Sequence, residues 1–155
     1  MRTIYSTLLI LLLIACNAGS DKTPGNNGGD SVVLTSDKIS ADRKNINPQP
    51  VKTYSETIKS FETTDEFKVG VYETELTFKY LVKISYKQLE VKDTLRVPNF
   101  GTQPVVEIKK GDSIRPSCIV GFLDKEQNFR ESKLVYYKDD KIKVKVLKYY
   151  AVFQQ

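Results

Sequence analysis

Between Leu76 and Tyr86 the chain alternates: Leu76, Phe78, Tyr80, Val82, Ile84 and Tyr86 are apolar or aromatic, and Thr77, Lys79, Leu81, Lys83 and Ser85 separate them. A period of two sustained over eleven residues describes a strand with one buried face, because successive side chains of an extended chain point to opposite sides. A helix would scatter the same lysines around its circumference. Comparable patterns follow along the chain. Phe67, Val69 and Val71 form an earlier strand, in a different phase from Leu76. Val91, Leu95 and Val97 alternate with Lys92, Thr94 and Arg96, with Asp93 as the one polar intruder. Val106 and Ile108 precede the turn signal Lys109-Lys110-Gly111-Asp112. Residues 118–123 are continuously apolar, which predicts a central strand covered on both faces.

Leu134 to Tyr137 leads into Lys138-Asp139-Asp140-Lys141, a hairpin turn on the ground that Asp tolerates positive φ. Ile142, Val144 and Val146 then alternate with Lys141, Lys143 and Lys145. The phase breaks at Leu147-Lys148, which predicts a bulge or a strand crossing near 146–148. Roughly seven or eight short strands result, and no amphipathic helix of about ten residues appears; Asp124 to Glu131 has room for one turn only. The expected fold class is all-β: an antiparallel β-sandwich, Ig-like in general build, with a small β-barrel as the alternative. The Cys-Trp-Cys signature of antibody domains is absent, so the likeness is one of architecture.

Composition narrows the chemistry. Forty per cent apolar residues with nine tyrosines and seven phenylalanines supply a core, and 155 residues suit one domain. There is no histidine. A Ser-His-Asp or Cys-His site and a His-based catalytic zinc site are therefore excluded, leaving carboxylates, Lys, Tyr and Cys for any catalysis. The reading is a non-enzyme without cofactor or metal. A formal charge of +5, on a chain in which 28% of residues are charged, is too small and too spread for nucleic acid.

The start of the chain has its own pattern. Met1-Arg2-Thr3 is positively charged, and an apolar stretch of eleven residues runs from Ile4 to Ile14. That length suits a signal peptide, whereas a spanning helix needs about twenty residues. Leu13-Ile14-Ala15-Cys16 resembles the lipobox of bacterial lipoproteins, with Ile14 where a smaller residue is more usual. The resemblance implies cleavage before Cys16, a diacylglyceryl group on its thiol, and a bilayer as partner. Asn17 follows the cysteine, and the Asp associated with inner-membrane retention is absent, so the resemblance points to the outer membrane of the cell envelope. Two or more acyl chains, at about 0.8 kcal/mol per buried methylene, hold a protein on a bilayer where one does not. Of the two cysteines, Cys118 is then left alone in an apolar run, as a small core residue.

The expected organisation is a signal peptide over 1–15, a lipid-attached cysteine and flexible tether over 16–50, and a single β domain over 51–155. The tether is rich in Gly, Asn, Ser and Pro, with the apolar island Ser31-Val32-Val33-Leu34-Thr35 as a short docking strand. If all of 17–50 were loose it would reach roughly 30 Å. The stretches Val91 to Gly101 and Ile119 to Lys125 resemble small β-rich lipoproteins of unknown function from Gram-negative gut anaerobes.

Candidate contacts are few. Lys79, Lys83 and Lys87 form one row and Lys141, Lys143 and Lys145 another, either able to meet acidic glycan or lipid phosphates, or else to keep an edge strand from aggregating. Tyr137 and Tyr149 are aromatic candidates in the pairs Tyr136-Tyr137 and Tyr149-Tyr150, and Phe100 lies in a Pro-bounded loop. Glu73 and Glu75, placed on one strand face, are the only carboxylate pair worth naming, and their reading is structural. The function expected is a membrane-tethered, non-enzymatic binding or adaptor lipoprotein with an envelope protein partner. Alternatives are an immunity or inhibitor lipoprotein against a toxin or hydrolase, and a surface glycan-binding protein.

Overall fold

A computed structural model describes residues 39–112 and 114–150. The leader, Cys16 and the apolar island at 31–35 lie outside these residues. The described chain is all-β. Strands β1 (Lys52–Lys59), β2 (Thr64–Glu73), β3 (Lys79–Tyr86) and β4 (Leu89–Arg96) form one antiparallel sheet, in that order. Strands β5 (Val105–Lys110), β6 (Ser117–Leu123), β7 (Phe129–Lys138) and β8 (Lys141–Val146) form the second. No helix occurs among the described residues, and neither sheet closes into a barrel. Each sheet is a simple meander, so the likeness to immunoglobulin domains stops at the two-layer build.

The inward faces share one core. Phe67, Val69 and Val71 of β2, Tyr80, Val82 and Ile84 of β3, and Cys118, Val120 and Phe122 of β6 are all buried. An aromatic line runs through it. Tyr54 meets Phe67 at 6.4 Å between ring centroids, Phe67 meets Tyr86 at 6.0 Å, and Tyr86 crosses to Tyr137 of the second sheet at 4.7 Å. Burial pushes the Cys118 thiol up to about 12, with the Glu56 carboxylate adding to it, so at neutral pH this group is a protonated core residue.

Ion pairs join the layers at their rims. On one side Lys52 pairs with Glu107 at 2.8 Å and Lys110 with Glu56 at 3.6 Å. On the other, Lys133 of β7 reaches Asp93 of β4 at 2.7 Å and donates to the Thr94 carbonyl at 2.6 Å. Asp93, the polar intruder of its strand, thus points inward because a lysine from the facing sheet waits there.

The turns follow their residues. Asp139 and Asp140 both take positive φ, at 55° and 56°, as a two-residue hairpin turn between β7 and β8 requires. Ser132 is skipped where β6 pairs with β7, and its carbonyl accepts from the amides of both Leu147 and Lys148, at 2.8 and 3.4 Å. Two amides on one carbonyl is bulge geometry, and it accounts for the phase break after Val146. Residues 124–128 make a tight loop, not a helical turn. The nearly buried Asp124 carboxylate accepts from the amides of Glu126 and Asn128, at 3.0 and 2.8 Å, and from Arg130.

Burial works to raise the Asp124 carboxyl, but the Asn128 amide, the Arg130 guanidinium and the Glu126 amide together hold it below the ordinary aspartate value. A depressed carboxyl adds stability that is present above its unfolded value, about 3.9, and is lost as pH falls through the folded one. Urea midpoints are therefore expected to drop as pH is taken below about 4. Asp124→Asn should flatten that acid limb without abolishing it, because Glu107 and Asp139 are also held low. An unchanged slope in the variant would contradict this account of the loop.

Three sequence expectations need correction. The strand predicted from Leu76 begins at Lys79, because Leu76 makes only an isolated bridge to Asp42, and Thr77 and Phe78 turn. Residues 118–123 do form a central strand, yet its outer face is covered only in part: Gly121 is buried, whereas Ile119 and Leu123 stay partly exposed beside their cross-strand neighbours Leu134 and Phe129. The described end of the expected tether is docked. Arg43 inserts a guanidinium that donates to the carbonyls of Thr74 and Thr77 and to the Tyr80 hydroxyl, at 2.9, 3.0 and 3.2 Å, and pairs with Glu73 at 3.3 Å. The amide of Arg43 donates to Glu75, and that of Thr77 to Ala41. Polar composition hid this, since a polar segment docks by hydrogen bonds and not by apolar periodicity.

Candidate functional site

The β3–β4 hairpin builds the most distinctive surface. Tyr86 pairs with Leu89, so only Lys87 and Gln88 connect the strands, with Lys87 at a φ of 54°. That register sets Lys83 directly opposite Lys92, and Lys79 directly opposite Arg96. Tyr80, Val82 and Ile84 turn inward, so the period of two sends all four cations to the outer face, with Leu81 and Thr94 between the two pairs. The ladder measures roughly 5 Å across a pair and roughly 13 Å along the strands. None of the four makes an ion pair with a carboxylate among the described residues. On the same face, Glu66 is neutralised by Lys68 at 2.8 Å, and Glu90 lies at the far end opposite Ser85.

Tyr72 borders the ladder. Its ring lies so close over Gly70 that a Cβ there would fall 2.9 Å from a ring carbon, and the Lys83 ammonium sits 4.3 Å from the ring centroid. Like charges placed directly opposite each other destabilise a sheet. Edge protection accounts for lysines on β4 but not on β3, which is an interior strand. The Tyr72 ring offsets this repulsion at Lys83, and edge protection explains the β4 cations but leaves the like-charge pairing with β3 unexplained.

Around the β4 edge the ladder meets a cleft of about 400 Å³ between β4 and β8, lined by Arg96, Lys133, Lys148, Tyr149 and Tyr150. Tyr149 is 90% exposed, whereas the Tyr150 hydroxyl donates to the Glu131 carbonyl at 2.9 Å. Lys133 is held by Asp93, and Lys148 stands 3.7 Å from Glu131, whereas Arg96 makes no ion pair among the described residues.

The sequence-predicted contacts divide accordingly. Lys79 and Lys83 do share a face, but Lys87 sits in the turn with its ammonium 5.5 and 5.4 Å from the rings of Tyr86 and Tyr137, away from their row. Lys141, Lys143 and Lys145 share the outer face of β8, where Lys143 is occupied by Asp139 at 2.6 Å. Phe100 is not an exposed contact: it packs inward on Phe122 at 5.9 Å. Tyr137 likewise packs on Tyr86, its hydroxyl donating to Asp140 at 2.7 Å. Tyr149 alone of the aromatic candidates is open. Glu73 and Glu75 do not share a strand face, since β2 ends at Glu73. Phe61, fully exposed in the β1–β2 turn, stands as a single apolar residue, which is ordinary at a surface.

Sequence reasoning missed Lys92, Arg96 and Tyr72. The alternation around Val91 and Leu95 already turned Lys92 and Arg96 outward, but the register opposite Lys83 and Lys79 depends on a Lys-Gln turn that carries no turn signature. Among the described residues there is no cluster of three metal-ligating side chains. Comparison of the chain with protein-family models, with curated proteins and with solved structures finds no match.

Proposed function

We propose that this chain is a lipoprotein of the cell envelope, moored through Cys16, whose β-sandwich is a non-enzymatic binding module. The observation that carries the binding role is the cation ladder of Lys79, Lys83, Lys92 and Arg96, a like-charged arrangement that costs folding energy and matches a negatively charged ligand. The mooring rests on the apolar stretch and lipobox-like Leu13-Ile14-Ala15-Cys16.

Cell fractionation tests it. The wild type is expected in the membrane fraction after a high-salt wash, and Cys16→Ser in the soluble fraction, because acyl chains resist salt and a charged surface does not. Equal membrane retention of both would refute the mooring. A second reading, glycan binding, is favoured by the open ring of Tyr149 beside Arg96 in the cleft. It predicts retention of an acidic sugar that Tyr149→Ala abolishes.

A further inference from the structure

Resting on that reading of a moored binding module, we infer that the ladder docks flat on an anionic lipid surface. Its form suits phosphate headgroups. Four cations project from two neighbouring strands of a sheet face, with no large exposed apolar residue among the described strand residues that face the same way, and the cleft at Thr94 and Arg96 lies at the edge of that face. A protein partner would be expected to find an aromatic or aliphatic anchor at the centre of its footprint. The centre of this face carries Thr94 and a Leu81 side chain that is already half-buried, and the Tyr72 ring at its border is already covered by the Lys83 ammonium.

The connection toward Cys16 strengthens the choice. Ala41 and Arg43, among the first described residues, are hydrogen-bonded to Thr77 and Glu75, and Lys79 in turn donates to the Leu76 carbonyl. The chain coming from the proposed anchor therefore joins the domain beside the Lys79–Arg96 end of the ladder. A lipid on Cys16 and cations at this end act on the same bilayer, the acyl chains supplying attachment and the ladder supplying orientation. Each basic residue close to an anionic surface raises partition roughly five-fold, and salt screens the effect within a Debye length of about 10 Å.

The test uses residues 16–155 carrying Cys16→Ser, without the apolar leader, so that vesicle binding depends neither on lipidation nor on that segment and the mooring can fail independently. Vesicles of phosphatidylcholine containing roughly one-third phosphatidylglycerol are compared with phosphatidylcholine alone, at about 0.1 M salt. Binding to the anionic vesicles only is expected. The triple variant Lys83→Gln, Lys92→Gln, Arg96→Gln should lower partition on the order of 100-fold. The matching variant Lys141→Gln, Lys143→Gln, Lys145→Gln, with the same change in net charge on the other sheet, should stay within about three-fold of wild type. The ladder variant should melt at or above the wild-type temperature, since it removes like-charge pairs. Equal losses in the two variants would reduce the effect to net charge and overturn the proposal. So would equal binding to neutral vesicles, an absence of vesicle binding, a lowered melting temperature of the ladder variant, or retention on an acidic polysaccharide in place of lipid.

Discussion

Phe122→Ala is expected to lower the stability of the domain by roughly 4 kcal/mol, measured as the shift in urea midpoint at constant slope. Phe122 is fully buried at the centre of the second sheet. Its ring contacts Phe100 from the loop after β4, at 5.9 Å, and Tyr150 from the segment after β8, at 4.9 Å. Truncation removes the transfer energy of a phenyl group and leaves a cavity that the loop after β4 and the segment after β8 would have to collapse to fill. The Tyr150 hydroxyl holds to Glu131 and the Arg43 cluster lies elsewhere, so little of that collapse is available. Small domains are stable by about 5–15 kcal/mol in all, so this change takes a large share. A loss below about 1 kcal/mol would mean that Phe122 does not occupy the packed position described.

Gly121→Ala is the second large effect, and it acts through backbone space instead of lost contact. A Cβ at Gly121 would fall 2.1 Å from the Arg130 carbonyl oxygen and 2.8 Å from the Phe129 ring. The oxygen belongs to β7, where the Ser132 bulge draws the strand close to β6, so it cannot swing aside as a side chain would. Relief requires the bulge to unwind, and the same Ser132 carbonyl anchors Leu147 and Lys148. Roughly 3 kcal/mol is expected from urea unfolding, at the upper end for overpacking. Amide exchange should also rise at Leu147 and Lys148, the two groups that depend on the bulge. Wild-type stability in the variant would show that β6 and β7 are not in this register.

Legibility in the sequence followed the physics of each signal. Period-two alternation made β3, β4 and β8 visible, because burial on one face leaves a mark at every second residue. Asp139-Asp140 announced its turn through side chains that tolerate positive φ. The break after Val146 marked the end of β8, where the amides of Leu147 and Lys148 both turn to the Ser132 carbonyl, though Ser132 left no sign of its own. What stayed hidden depends on contacts distant in sequence. Asp93 read as an intruder until Lys133 arrived from the other sheet, and Arg43 read as tether until four partners around the β2–β3 turn received it. The ladder was half visible. Lys79 and Lys83 follow from alternation alone, whereas Lys92 and Arg96 need the register of the hairpin. Phe100 and Tyr137 misled because an aromatic residue in a loop or at a strand end looks the same in sequence whether it turns in or out.

The proposed mooring at Cys16 would decide where all of this chemistry operates, and intact-mass spectrometry of the protein extracted from its cells tests it most directly. The expected species begins at Cys16 and exceeds the mass of residues 16–155 by a diacylglyceryl group, with or without a further acyl chain. A polypeptide that retains residues 1–15, or one whose Cys16 thiol is unmodified, would contradict it.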